Sequence, residues 1–290
     1  MIMDIPVKLV KELRDRTGAG FMDAKKALEE AEGDMDKALE ILRTRGLAKA
    51  DKKLDREAKE GKIGMWLSED RKRGVILELN SETDFVARTE DFAKLLSALV
   101  RAVAEAGPED LNALLETPLP DYGNAKASDV IKEHVARIGE NIRLKRFAFY
   151  EARPGALLDI YIHPGDMLGV ILEMEAPEGE KSLEIARNIA MQIAAMEPIS
   201  VSREDVPPEV IEKEKTIYRQ QALEQGKPEK VVDRIVEGKL KTFYEEKVLL
   251  EQSYIREQGI TVSDYLASAS RELGSPIKVI RFTRFKVGED

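Results

Sequence analysis

The 290-residue sequence contains no cysteine, two histidines and a single tryptophan. Without thiols, disulfides, thiolate nucleophiles and thiolate metal sites are excluded, and nothing points to an oxidising compartment. His134 and His163 do not form a ligand-spaced cluster, so neither a bound metal nor a cofactor is expected. Also missing is any apolar run of the ~18 residues that a membrane span requires. The N-terminal "MIMDIPVKLV" leads into helical periodicity without a signal-peptide core, so the expectation is a cytoplasmic protein with no membrane role. Nor is there an excess of positive charge. Lysines and arginines number 46 against 55 acids, for a net charge of -9, which argues against direct nucleic acid binding as the main role.

Catalytic signatures are equally scarce. There is no P-loop, no nucleophile elbow, no H-E-x-x-H and no EF-hand loop. The G-x-G of "GAGFMDAK" follows a helix, where a dinucleotide fingerprint needs a strand. Carboxylate pairs such as Glu82 and Asp84 read as solvated charge among so many acids. The chain therefore reads as a protein that works by binding, not as an enzyme.

What is present is an α+β pattern in several parts. Residues 1–47 read as a three-helix bundle. Leu9, Val10 and Leu13 form one apolar stripe, Met22, Ala24, Ala27, Leu28 and Ala31 a second, and Met35, Ala38, Leu39 and Leu42 a third. Gly18, Gly20 and Gly33 break the pattern between them, and Asp34 caps the third helix. Residues 48–62, nearly all charged or small, read either as a linker or as an exposed continuation of that helix. The pentapeptide "GVILE" then occurs at 74–78 and again at 169–173. Each copy follows an extended segment and a polar turn, and each precedes an apolar helix, 89–106 and 182–196. This predicts two related α+β subdomains with antiparallel sheets, one over 63–149 and one over 150–205 completed by 254–290. Between them in sequence, 206–253 reads as two charged helices broken at "GKP". Val210, Ile217, Val232, Ile235, Val236, Leu240 and Phe243 form a narrow seam, which predicts an antiparallel helical hairpin, a coiled coil inserted in the second subdomain. The segment "IKVIRFTRFKV", 277–287, reads as the last strand.

The stretch "SETDFVAR", 81–88, fits neither neighbouring element. A buried strand, Val75 to Leu79, precedes it, and Thr89, Glu90 and Asp91 open a capped helix after it, so Phe85 and Val86 fall in a connection. A phenylalanine there either folds back into its own core or serves another molecule, and the residues alone leave both readings open.

The segments "VKELRDRTGAGFMDAKKALEEAEGDMDKALEILR", "NSETDFVARTEDF", "IGENIRLKR", "QGKPEKVVDRIVEGKL" and "IRFTRFKVGE" together resemble, in this order, the bacterial elongation factor Ts family. The resemblance covers essentially the whole chain. It implies a guanine nucleotide exchange factor for elongation factor Tu, the GTPase that delivers aminoacyl-tRNA, met in both GDP-bound and nucleotide-free states. It implies a UBA-like (ubiquitin-associated-like) fold for the N-terminal bundle. Within the motif Thr83, Asp84, Phe85, Val86 and Ala87, it implies that Asp84 and Phe85 wedge between two helices of the Tu G domain and disturb the magnesium side of its nucleotide pocket. Further implied contacts are Gly18, Gly20, Phe21 and Met22 of the glycine-rich turn, Ile138 and Gly139 of the IGEN segment, and His163 of "YIHPGD", the last on domain 3 of Tu. The family also admits homodimers and heterotetramers with Tu. Many members continue past the final strand into a further helix that packs on Tu, whereas this chain ends at Asp290, so a smaller footprint is expected. Phe21 stands where a methionine is frequent.

Two rival readings remain at this point. One is a ubiquitin- or peptide-binding adaptor built on the N-terminal bundle. The other is a ribosome-associated RNA-binding factor using Lys49, Lys52, Lys53, Arg56 and Lys59. The single sites have plainer readings too: Gly18 and Gly20 as helix stops, Ile138 as core, His163 as a turn residue and Asp84 as a local cap.

Overall fold

The computed structural model describes residues 5–51 and 53–289. The fold is α+β and falls into two compact units, Met1–Gly64 with Leu77–Phe147 and Val287–Asp290, and Met65–Ile76 with Ala148–Lys286, over the described residues.

The first unit begins with three helices, α1 (Val7–Thr17), α2 (Phe21–Glu30) and α3 (Met35–Asp51). Their apolar stripes meet, with Val10, Leu13, Ala24, Ala27, Leu28, Ala31 and Ala38 buried together, but Met22, expected at the start of the second stripe, is 60% exposed and lies outside this core. Asp34 caps α3 by accepting from the N–H groups of Asp36 and Lys37 at 3.0 and 3.1 Å. The helix then runs on through Asp51, so the charged stretch from residue 48 starts as helix. Lys52 lies outside the described residues, as do the side chains of 47–51.

The strands and helices that follow are β1 (Glu60–Leu67), β2 (Arg73–Ser81), α4 (Asp84–Ala87), α5 (Glu90–Ala106), α6 (Leu111–Glu116), the short pair β3 (Pro118–Leu119) and β4 (Ala125–Lys126), α7 (Ala127–Ile138) and β5 (Ile142–Glu151). The sheet order is β1-β2-β5. Phe92, Leu95, Leu96, Leu99 and Val103 are buried along α5, as their spacing predicts. Helix α7 packs on α3, and the contact is close: a Cβ at Gly46 would stand 3.0 Å from that of Ala136. The sequence reading assigned no elements to 107–133. The structure places α6, the β3–β4 ribbon and most of α7 there.

In the second unit come β6 (Ala156–Ile162), β7 (Leu168–Glu175), α8 (Glu180–Met196), α9 (Pro208–Glu224), α10 (Glu229–Lys247), α11 (Val262–Leu273) and β8 (Lys278–Lys286). Strand β7 is central and antiparallel to both β6 and β8. Ile185, Ala186, Ile189, Ala190 and Ile193 of α8 cover one face of this sheet, against Leu157, Val170, Leu172, Met174 and Val279.

The repeat is now explained. Both GVILE copies lie in the middle strand of a three-stranded sheet, and the Val, Ile and Leu of each are fully buried. Their fifth residue is a glutamate with no solvent exposure in either copy. Each of these carboxylates is met by an arginine of the third strand: Arg146 Nε donates to Glu78 at 2.7 Å, and Arg281 Nε donates to Glu173 at 2.6 Å. Burying a carboxylate is tolerable only with such a partner. Second donors complete both sites, Asn80 Nδ2 at Glu78 (3.0 Å) and the Arg153 N–H at Glu173 (2.7 Å).

Helices α9 and α10 form the expected antiparallel pair, but the seam on α9 is displaced by one residue. Ala222 is buried, Ile211 and Tyr218 pack against it with Val232, Val236 and Leu240, and neither Val210 nor Ile217 belongs to this cluster. The apolar doublets Val210-Ile211 and Ile217-Tyr218 offer two equally spaced stripes, and the structure uses the second. On α10, Tyr244 rather than Phe243 joins the cluster. Pro228, of the "GKP" break, is the N-cap of α10 and stands just before its first turn. At the root of the pair, the buried Gln252 side chain donates to the carbonyls of Met196 and Glu246, at 3.0 and 2.7 Å, and so closes the ends of α8 and α10 with one amide.

Candidate partner interface

Strand β2 ends at Ser81, whose Oγ donates to the Thr83 carbonyl at 2.8 Å and turns the chain. Thr83 is the N-cap of α4, its Oγ1 accepting from the Val86 N–H. The connection expected at Phe85 and Val86 is therefore a single capped helical turn. That turn is two-faced. Val86 and Ala87 are buried in their own unit, whereas Phe85 is 79% exposed, the most exposed large hydrophobic residue among those described. Leaving a phenylalanine in water forgoes roughly 1.5–3 kcal/mol of burial, so an exposed ring on an ordered turn marks a surface meant for something else. Beside it, Asp84 and Arg88 pair at 2.9 Å across one turn. The five-residue motif thus divides: Asp84 and Phe85 face outward, while Thr83, Val86 and Ala87 build the support.

The C-terminus of α7 brings further residues to this support. Glu140 accepts from both the N–H and the hydroxyl of Thr83. Ile138, half-buried, is the last residue of α7, and Gly139 ends it in the left-handed conformation with φ 89°. Arg137 pairs with Asp91 at 3.1 Å and lies against the glycine-rich turn, where a Cβ at Gly18 would stand 3.2 Å from Arg137 Cγ. Gly18 ends α1 at φ 68°, so a side chain there would be strained by conformation and would crowd Arg137. Gly20 caps α2, and Phe21 and Met22 in its first turn are 39% and 60% exposed. Gly18, Ile138, Gly139 and the Thr83–Ala87 turn are therefore linked through one helix end. Glu140, Asn141 and Glu82 were not recognised as part of this site. Glu140 and Thr83 are 57 positions apart, a pairing that no local pattern carries.

In the second unit, His163 is exposed in the β6–β7 turn, with its Nδ1 2.9 Å from the Tyr161 hydroxyl. Ile162 and Met167 on either side of it are exposed as well. Of the basic residues of the rival RNA reading, Lys53 Nζ donates to the Gly139 carbonyl at 2.6 Å, Arg56 pairs with Glu82 at 3.6 Å, and Lys59 with Glu57 at 2.6 Å, whereas the side chains of Lys49 and Lys52 lie outside the described residues. Among the described residues, no helix is long and apolar enough to cross a membrane.

His134, buried on α7, donates from Nδ1 to the Val130 carbonyl at 2.8 Å, with the Tyr122 ring edge-on to it. Burial holds its pKa below the ordinary 6.5, against the opposing effects of that hydrogen bond and of Asp91 and Glu133, with Arg137 adding to the depression. The unfolded chain then binds the proton more readily than the folded one. The stability this residue contributes is present above about pH 6.5 and is lost as the pH falls toward the depressed folded value. Denaturant titrations from about pH 7 to about pH 5 should show His134→Gln losing less stability than the wild type over that interval. Parallel profiles would contradict this.

The family model described as "Elongation factor TS" matches residues 82–289, from the residue before Thr83 to just past the last strand. The chain is 48% identical over 294 residues to elongation factor Ts of Aquifex aeolicus, covering 99% of both chains. It is also 48% identical to the elongation factors Ts of Prosthecochloris aestuarii, over 285 residues, and Chlorobium limicola, over 288, covering 98% of this chain and 99% of each relative. The chain belongs to the elongation factor Ts family. The matched region holds the Thr83–Ala87 turn and the α7 end that supports it, and the full-length relatives extend the likeness through the N-terminal bundle. As an elongation factor Ts, the chain is a translation factor of protein synthesis.

Proposed function

We propose that this elongation factor Ts promotes release of GDP from elongation factor Tu by inserting Asp84 and Phe85 beside the magnesium side of the Tu nucleotide pocket, in the cytoplasm where translation runs. The observation that carries the reading is the Phe85 ring, 79% exposed on a capped turn whose Val86 and Ala87 are buried. In this reading the N-terminal bundle, 1–47, and the IGEN segment touch the G domain through Phe21, Met22 and Ile138. The second core subdomain reaches domain 3 through the His163 turn. The factor needs no cofactor of its own and acts as a binder, not as a catalyst of bond chemistry.

Energetics limit what the ring does alone. Factor and nucleotide weaken each other by one coupling free energy, so faster release requires tight binding to the nucleotide-free state. A ten-thousandfold acceleration corresponds to about 5.5 kcal/mol, whereas one buried phenylalanine supplies about 1.5–3 kcal/mol. Loosening the partner's magnesium, a concentrated charge on the diphosphate, supplies leverage that apolar burial lacks. The remainder calls for a broad interface, above roughly 2,000 Å² in total. The test is release of labelled GDP from purified Tu: the intact chain is expected to accelerate it, and an unchanged rate at saturating factor would contradict the proposal.

A further inference from the structure

We propose that Glu140 is a positioning residue of the exchange turn: it fixes Thr83 so that α4 holds Phe85 outward, and it thereby sets the rate of nucleotide release rather than the strength of partner binding. The inference rests on the exchange reading above. The Thr83 N–H donates to Glu140 Oε2 at 3.1 Å, and the Thr83 hydroxyl lies 3.0 Å from both carboxylate oxygens. A threonine hydroxyl has one hydrogen and two lone pairs. By taking the hydrogen, Glu140 leaves a lone pair facing the Val86 N–H, the contact that caps α4. A four-residue helix has few bonds of its own, here from the Ala87 N–H to the Thr83 carbonyl at 3.4 Å and from the Arg88 N–H to the Asp84 carbonyl at 3.1 Å, so a cap as long as 3.5 Å at Thr83 holds only while Glu140 fixes that residue.

Glu140 is itself held. Its neighbour Asn141, almost completely buried, donates from its N–H to Glu82 Oε1 at 2.7 Å and from its side-chain amide to the carbonyls of Leu54 and Arg56 at 3.1 and 2.7 Å. Lys53 fastens the carbonyl of Gly139 on the other side. Two carboxylates therefore cross in opposite directions between the same segments, Glu82 to Asn141 and Glu140 to Thr83. None of these bonds involves the Phe85 ring. Loss of Glu140 leaves the ring present and Val86 and Ala87 still inward, but the turn no longer held to one pose. Misplacing a group by a small distance costs rate more than affinity.

The test measures GDP release from Tu over a range of factor concentrations, using full-length variants. Glu140→Ala and Thr83→Val are each expected to lower the maximal release rate about tenfold, the loss of a charge-assisted cap, while the half-saturating concentration moves by less than about threefold. Thr83→Ser, which keeps the hydroxyl, should retain near-wild-type rates, and the double variant Thr83→Val with Glu140→Ala should fall no further than either single one. A maximal rate for Glu140→Ala equal to the wild type, or additive losses in the double variant, would overturn the inference. Should Glu140→Ala fail to fold, Glu140→Met, which keeps the length of the side chain without an acceptor for Thr83, takes its place: a maximal rate equal to the wild type overturns the inference, and a lowered maximal rate at an unchanged half-saturating concentration upholds it. Phe85→Ala run in parallel separates the failures. Full activity there contradicts the exchange reading itself, whereas an impaired Phe85→Ala beside an unimpaired Glu140→Ala contradicts the positioning role alone.

Discussion

Phe85→Ala is expected to leave the factor folded and to reduce its stimulation of GDP release from Tu by about ten- to hundredfold, the rate equivalent of burying one phenylalanine. The two halves of this result come from the same observation. Because 79% of the residue is already in water, truncation opens no cavity, and the stability change should stay within about 0.5 kcal/mol. The supporting residues Val86 and Ala87, and the cap at Thr83, remain in place. Denaturant unfolding should therefore superimpose on the wild type while the release assay separates the two proteins. A broad interface predicts that Phe85→Ala still binds Tu and competes with the wild type for it. A variant that is both inactive and unfolded would show that the ring belongs to the protein's own core, contrary to the geometry.

Glu173→Ala is expected to have the opposite signature, a loss of about 1–3 kcal/mol of stability, because it removes the buried acceptor of two donors while the Arg281 side chain it leaves behind is 42% exposed. Arg281 Nε and the Arg153 N–H both lose their acceptor, and the carboxylate they share has no solvent exposure. The guanidinium of Arg281 also stacks 4.0 Å above the Tyr150 ring, so its placement affects a second contact. The check is a denaturant midpoint lowered at unchanged slope. Glu78→Ala, the matching position of the repeat, should behave alike through Arg146. A loss below about 1 kcal/mol would place these pairs with weak surface salt bridges.

Much of this architecture was legible because helical periodicity is a physical signal: Phe92, Leu95, Leu96, Leu99 and Val103 recur on one face of α5, and all are buried. The GVILE repeat announced two related sheets, although its letters did not reveal that the shared glutamate is buried and paired. The hairpin was legible in kind but not in register, since adjacent apolar doublets on α9 present two stripes and only the facing helix chooses between them. No helix is expected from the sequence at 262–273, although the Thr261–Asp264 capping box opens α11 there. At the site, the position of Phe85 in a short polar stretch raised the question without answering it. Whether a ring turns in or out depends on the cap at Thr83 and on the neighbours that take the inward face, and Thr83 in turn depends on Glu140, far away in sequence. Such contacts belong to tertiary structure, and no period or propensity encodes them.

The central claim is that one ring passes from water into another protein. Site-specific incorporation of 4-fluorophenylalanine at position 85 allows its fluorine resonance to be followed in the free factor and after addition of nucleotide-free Tu. The account predicts a solvent-sensitive signal in the free protein, with a shift between light and heavy water, that becomes insensitive to solvent when Tu binds and returns when excess GDP displaces the factor. A resonance that stays solvent-sensitive in the complex, or is already shielded in the free chain, would contradict it.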